Sequence, residues 1–92
     1  MIEVTSEDAS DPLRFAVVVR EAKGETRHAV TLAAADAARL GQGATPEALI
    51  RAAFAFLLER EPKESILSRF DVSVISRYFP DFERELPRCL GG

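Results

Sequence analysis

The chain has 92 residues, 47% of them apolar, and a formal charge of −3, which fits one domain and excludes disorder of the whole chain. A compact fold of that size buries about 65% of the unfolded chain's surface and keeps a stability on the order of 5–10 kcal/mol. Four of its fifteen acids (Glu3, Glu7, Asp8 and Asp11) precede Pro12 with no base among them, so the remainder sets twelve Lys and Arg against eleven acids and lacks the basic excess that drives phosphate binding.

Residues 1–12 are expected to form a flexible acidic leader, and residues 13–90 a single globular domain. From Phe15 to Arg20 and from Arg27 to Leu32 apolar and polar side chains alternate, and Gly24 lies between the two runs. The pattern predicts an antiparallel hairpin. A turn at Lys23-Gly24 sets Val19 against His28, Val17 against Val30 and Phe15 against Leu32, and gathers the apolar side chains on one face. That register also places Arg20 opposite Arg27, an unfavourable pair that a glycine-bulge turn would avoid.

Ala33 to Leu40 is alanine-rich and predicts a short helix ending at Gly41. A second helix is more firmly marked. Thr45 can cap it, Pro46 suits a first helical position, Glu47 suits the positive end of the macrodipole, and Glu61-Pro62 follows its end near Arg60. Between Ala48 and Leu58 the only polar side chain is Arg51. At 100° per residue the large apolar residues and Ala53 span an arc of about 200°, twice the stripe of an ordinary surface helix. A helix so apolar needs cover on more than one side, which suits self-association as well as a monomeric core.

In the tail, Leu67, Phe70, Val74 and Tyr78 recur at three- and four-residue spacing with Ile66 and Ile75 among them. One to three short helices are predicted between Pro62 and Leu86, with Asp71 as a cap between two of them and Pro87 as a stop. Five of the six phenylalanines are Phe54, Phe56, Phe70, Phe79 and Phe82, so the core is expected to join the second helix to the tail. The expected fold is α+β: an N-terminal antiparallel β-hairpin packed on a long central helix, with short C-terminal helices.

Chemistry is sparsely encoded. There is no glycine-rich phosphate cradle, HExxH pair or CxxC motif, and no cofactor or metal is expected. Cys89 would need His28 as its base, but it is the fourth residue from the end of the chain, and His28 reads as a strand residue at the margin of the hairpin face. Asp81, Glu83 and Glu85 interleave with Arg84 and Arg88. Pairing of Asp81 with Arg84 and of Glu85 with Arg88 makes these a solvated network rather than a catalytic carboxylate pair. A lone cysteine, an N-terminus unlike a signal peptide and the lack of any apolar run near 20 residues predict a cytoplasmic protein with no membrane contact. The Ala/Arg-rich composition suits a bacterium.

Two resemblances add to this. Thr26-Arg27-His28-Ala29-Val30-Thr31-Leu32, followed by a helix, a glycine-containing turn and the LIRAAFAFLLER helix, resembles a ribbon-helix-helix module over residues 26–60. The resemblance implies an intertwined homodimer that presents Arg27, Ala29 and Thr31 to a DNA groove and residues near Thr45 to phosphate, as in a DNA-binding regulator or antitoxin. The tail segment FDVSVISRYFPDFE is similar to that of small uncharacterised bacterial proteins with no assigned role, and its aromatics would serve a partner site where exposed. The favoured expectation is a small non-enzymatic protein that acts through contacts with a protein partner, alone or as a homodimer.

Overall fold

Alternating side chains in the N-terminal part of the chain produce three strands, not two. The computed structural model describes residues 1–91. Strands β1 (Ile2–Asp8), β2 (Leu13–Glu21) and β3 (Gly24–Leu32) are antiparallel, and a short β4 (Arg69–Asp71) adds in parallel to β3, giving the order β1-β2-β3-β4. Helices α1 (Ala34–Gly41) and α2 (Pro46–Leu58) follow the three-stranded part, and α3 (Ile75–Tyr78) and α4 (Phe82–Gly91) follow β4. The class is α+β, but the expected hairpin on a long central helix is corrected to a four-stranded sheet with four helices, the longest of thirteen residues.

Residues 2–8, expected in a mobile leader, form β1. Ile2 and Val4 stand opposite Val19 and Val17 and pack against the core. A bulge between Ser6 and Asp8 ends the regular pairing, and Asp8 accepts from the Ser10 amide and hydroxyl at 2.9 and 2.6 Å. Asp11 accepts from the Ala34 amide at 3.0 Å, so the β1–β2 connection caps the start of α1.

The hairpin face is as expected, but its register is shifted by two residues. Val17 pairs with His28, Phe15 with Val30 and Leu13 with Leu32, around a turn at Ala22-Lys23. Gly24 supplies the positive φ, 131°. A slip of two leaves each side chain on its own face, so burial cannot oppose it. The charges favour it. Arg20 now faces Glu25, at 3.2 Å, and also meets Glu3 at 2.9 Å, which removes the Arg20–Arg27 clash. Phe15, Val17, Val19, Val30 and Leu32 are buried on the inner face. Arg14, Arg20, Arg27 and Ala29 are exposed on the outer one.

α1 runs through Gly41, and Gln42 rather than glycine takes the left-handed position at its end (φ 51°). The Thr45 hydroxyl accepts from the Ala48 amide at 3.1 Å and caps α2, with Pro46 in the first turn as predicted. Leu49, Ile50, Ala52, Ala53, Phe54, Phe56 and Leu57 are all buried. Phe54 lies against the His28 and Phe70 rings, at 5.2 and 5.9 Å between centroids. Phe56 meets Phe82 and Phe79 edge-on at 5.1 and 5.9 Å, with the Arg60 guanidinium 3.7 Å from its ring centre. The sheet, α1 and the tail thus cover α2 within one chain.

Pro87 does not stop the last helix. It lies inside α4, where its missing N–H leaves the Glu83 carbonyl without a helical donor. The acids of this region reach other elements instead of only their helical neighbours. Asp81 pairs with Arg60 at 2.8 Å, and Glu83 with Arg39 of α1 at 2.6 Å. Arg88 joins Glu85 at 3.2 Å and makes a two-pronged contact with Glu59, at 2.9 and 3.1 Å.

Phe54, with 0% of its surface exposed, is the test of this packing. Phe54→Ala should lower the unfolding free energy by about 3–5 kcal/mol, read from urea denaturation. A loss below about 1 kcal/mol would contradict the burial.

Candidate functional site

The segment after α2 has little regular structure, and side-chain anchors shape it. Pro62 keeps the chain from resuming the helix after Leu58, because the residue before proline is driven out of the helical region. Lys63 then turns inward at the start of a 3-10 turn (Lys63–Ser65), with its side chain 4% exposed. Its ammonium lies 2.6 Å from the Glu64 carboxylate and 3.1 Å from that of Glu21. These bonds hold the amine above the usual lysine range, Glu64 contributing most.

Ile66 drops into the core, and Leu67 follows it to the surface. His28, on the inner face of β3, fixes this bend. Its Nδ1–H donates to the Leu67 carbonyl at 2.7 Å, which sets the tautomer, and Nε2 lies 2.9 Å from the Thr26 hydroxyl. His28 is therefore buried and serves as a strut; it is not at the margin of the sheet. The Ala29 amide donates to the Ser68 carbonyl at 2.8 Å and starts the β3–β4 pairing.

Asp71 ties the far end. Its carboxylate accepts from the Thr31 hydroxyl at 2.5 Å and from the Ser73 amide at 3.0 Å, and so joins β4 to β3 and caps a second 3-10 turn, Val72–Val74. Partial burial works against its charge, but the hydrogen bonds from Thr31 and Ser73 outweigh it and hold the carboxyl below the usual range.

Between these anchors and the end of α2 lies an apolar cleft of about 210 Å³. Leu57 and Phe70 line its inner part with Ile66 and Ile75, while Leu67, Val74, Tyr78 and Phe79 complete the walls; Glu61 and Ser65 are its polar members. Leu67 is 48% exposed and Tyr78 67%, and with Met1 they are the exposed large hydrophobic residues among the described positions. Glu61 and Arg77, which precedes Tyr78 on α3, make no ion pair among the described residues, whereas most other charges near this end of the molecule are paired.

Of the residues expected to contact DNA, Arg27, Ala29 and Thr31 share the outer face of β3, and Thr45 stands apart from them at the start of α2. Arg27 and Ala29 are exposed on the outer face of the sheet, where Arg27 pairs with Glu25 at 2.6 Å. The Thr31 hydroxyl is occupied by Asp71, and that of Thr45 by the α2 cap on the opposite face. A ribbon-helix-helix dimer needs a strand with a free edge. β3 has β2 on one side and β4 on the other, so the resemblance over residues 26–60 does not extend to the strand arrangement. Cys89 is half-buried on α4, and burial pushes its thiol above the usual value. No helix of the described residues is long and apolar enough to cross a membrane, and no cluster of three metal-ligating side chains is found among them.

The cleft itself is not legible in the sequence, though most of its apolar lining is. Ile66, Leu67, Phe70, Val74, Ile75 and Tyr78 stand out by their spacing, but they line a cavity across a turn, a strand and a short helix instead of one helix face. Family models, curated proteins and solved structures were all compared with the chain, and none matches.

Asp71 gives a pH-dependent test of the cleft's outer wall. A lowered folded-state value means that its contribution is complete above the unfolded carboxylate's ordinary range and disappears as the pH falls through the folded value. Asp71→Asn should therefore cost about 1–2 kcal/mol at neutral pH, and the gap from the parent protein should close in acid. A gap that stays constant with pH would show that the charge contributes nothing.

Proposed function

We propose that this is a small cytoplasmic bacterial protein that works by binding a protein partner rather than by catalysis, and that the cleft at the end of α2 takes an apolar side chain of that partner. One observation carries this: two of the three exposed large hydrophobic residues among those described stand at the mouth of an apolar cleft. Scattered apolar residues are normal on a protein surface, whereas a contiguous apolar patch with a polar rim marks an interaction site. Tyr and Leu beside a concavity offer the anchor-and-pocket arrangement that concentrates binding energy at protein interfaces. The Glu61 carboxylate at the rim favours a partner with a basic group near its apolar anchor.

A random peptide library displayed on phage tests this directly. Selected peptides should carry a large aliphatic or aromatic anchor with Lys or Arg close by. Leu67→Glu and Tyr78→Glu should each weaken them about tenfold or more, with the circular dichroism spectrum unchanged, while Arg84→Glu on α4 should not. Failure to select any peptide, or equal binding to the cleft variants, would end the proposal.

A further inference from the structure

We infer that the natural occupant of the cleft is a second copy of this chain, seated about a two-fold axis so that Tyr78 of each protomer enters the cleft of the other. This deepens the docking function proposed above and rests on it. A two-fold interface uses the same patch on both copies, so knob and hole must lie side by side on one surface. They do here: Tyr78 lines the cleft's mouth yet is 67% exposed, with Leu67 beside it. A phenol ring buries about 150–250 Å² when covered and keeps a polar tip that needs a partner. Glu61 and Ser65, the polar members of the lining, can accept a hydrogen bond from its hydroxyl.

Charge supports the same arrangement. Arg77 adjoins the knob, Glu61 lies in the wall of the hole, and neither has an ion pair within the described chain. Insertion of Tyr78 brings Arg77 to the partner's Glu61, and the two-fold axis makes the pair twice. Of the two edge strands, β4 offers only three residues for self-pairing and β1 offers seven. The β1 edge is a poorer candidate than the cleft, since Glu3, Glu7 and Asp8 line it, a bulge bends it and Arg51 donates to its Ile2 carbonyl. The patch at Tyr78 is small, so the dimer belongs to the weak class that buries less than about 1,200 Å² and dissociates on dilution.

Sedimentation velocity across roughly 1 μM to 1 mM reads the result. The mass should rise from 10.1 kDa toward twice that value. Tyr78→Ala should weaken association about thirtyfold. Arg77→Glu and Glu61→Arg should each weaken it severalfold, and the two together in one chain should restore it, an outcome that a damaged fold cannot produce. A dimer indifferent to Tyr78→Ala, or a charge exchange without rescue, overturns this interface. A protein that stays at 10.1 kDa throughout but still binds the selected peptides overturns the second copy as occupant and leaves the docking function standing. One that stays monomeric and binds none removes both.

Discussion

The fold depends on covering α2. Eleven consecutive residues of that helix offer one polar side chain, and burying a Leu, Ile or Phe side chain contributes about 1.5–3 kcal/mol each. No single neighbour can cover an apolar surface that wide. Three stretches of sequence converge on it instead. The sheet brings His28 and Phe70 against Phe54, the tail brings Phe79 and Phe82 against Phe56, and α1 flanks the start of the helix with buried Leu40. The sheet and α1 precede α2 in the chain and the tail follows it, so α2 ties the two ends of the domain into one core. Because this cover comes from within the chain, the breadth of the helix gives no reason for self-association. The reason lies elsewhere, at the end of the helix where cover runs out.

What was legible in the sequence was mostly which face of an element is apolar. Alternation in Phe15–Arg20 and Arg27–Leu32 marks the buried side of two strands correctly, yet it is blind to a shift of two residues. The like-charged pair of Arg20 and Arg27 was the available signal against the expected register. Between registers that burial ranks equally, its replacement by Arg20–Glu25 removes a repulsion, and Gly24 supplies the positive φ that the observed turn uses. β1 was masked differently. Glu3, Glu7 and Asp8 read as a solvated leader, but Ile2 and Val4 alternate with the polar residues, and a sheet with one solvated face needs no more than that.

The tail misled for a structural reason. Leu67, Phe70, Val74 and Tyr78 satisfy helical spacing, and β4 is only three residues long, too short for a period of two to show. Asp71 reads as a cap in the sequence, and a cap implies extended backbone at that residue. That was the one sequence feature consistent with a strand ending there. Pro87 shows the opposite override, since Leu86 is buried beside it and tertiary packing carries the helix past a residue that lacks its donor.

The candidate site lies in the part of the chain with the least secondary structure of its own. Between Pro62 and Phe79 the backbone makes two single 3-10 turns, a three-residue strand and a four-residue helix. Segments of this kind open at lower free energy than core strands and long helices. Here the opening is restrained at separate points: Lys63 between two carboxylates, the Leu67 carbonyl on His28, and Asp71 on Thr31. The restraints hold the backbone from Lys63 to Asp71, whereas Val74 and Tyr78 follow the last of them and the Leu67 side chain projects to the surface from an anchored backbone. The strongest packing is kept under α2, where movement would unfold the domain, and the adaptable segment is placed where apolar surface remains to be covered.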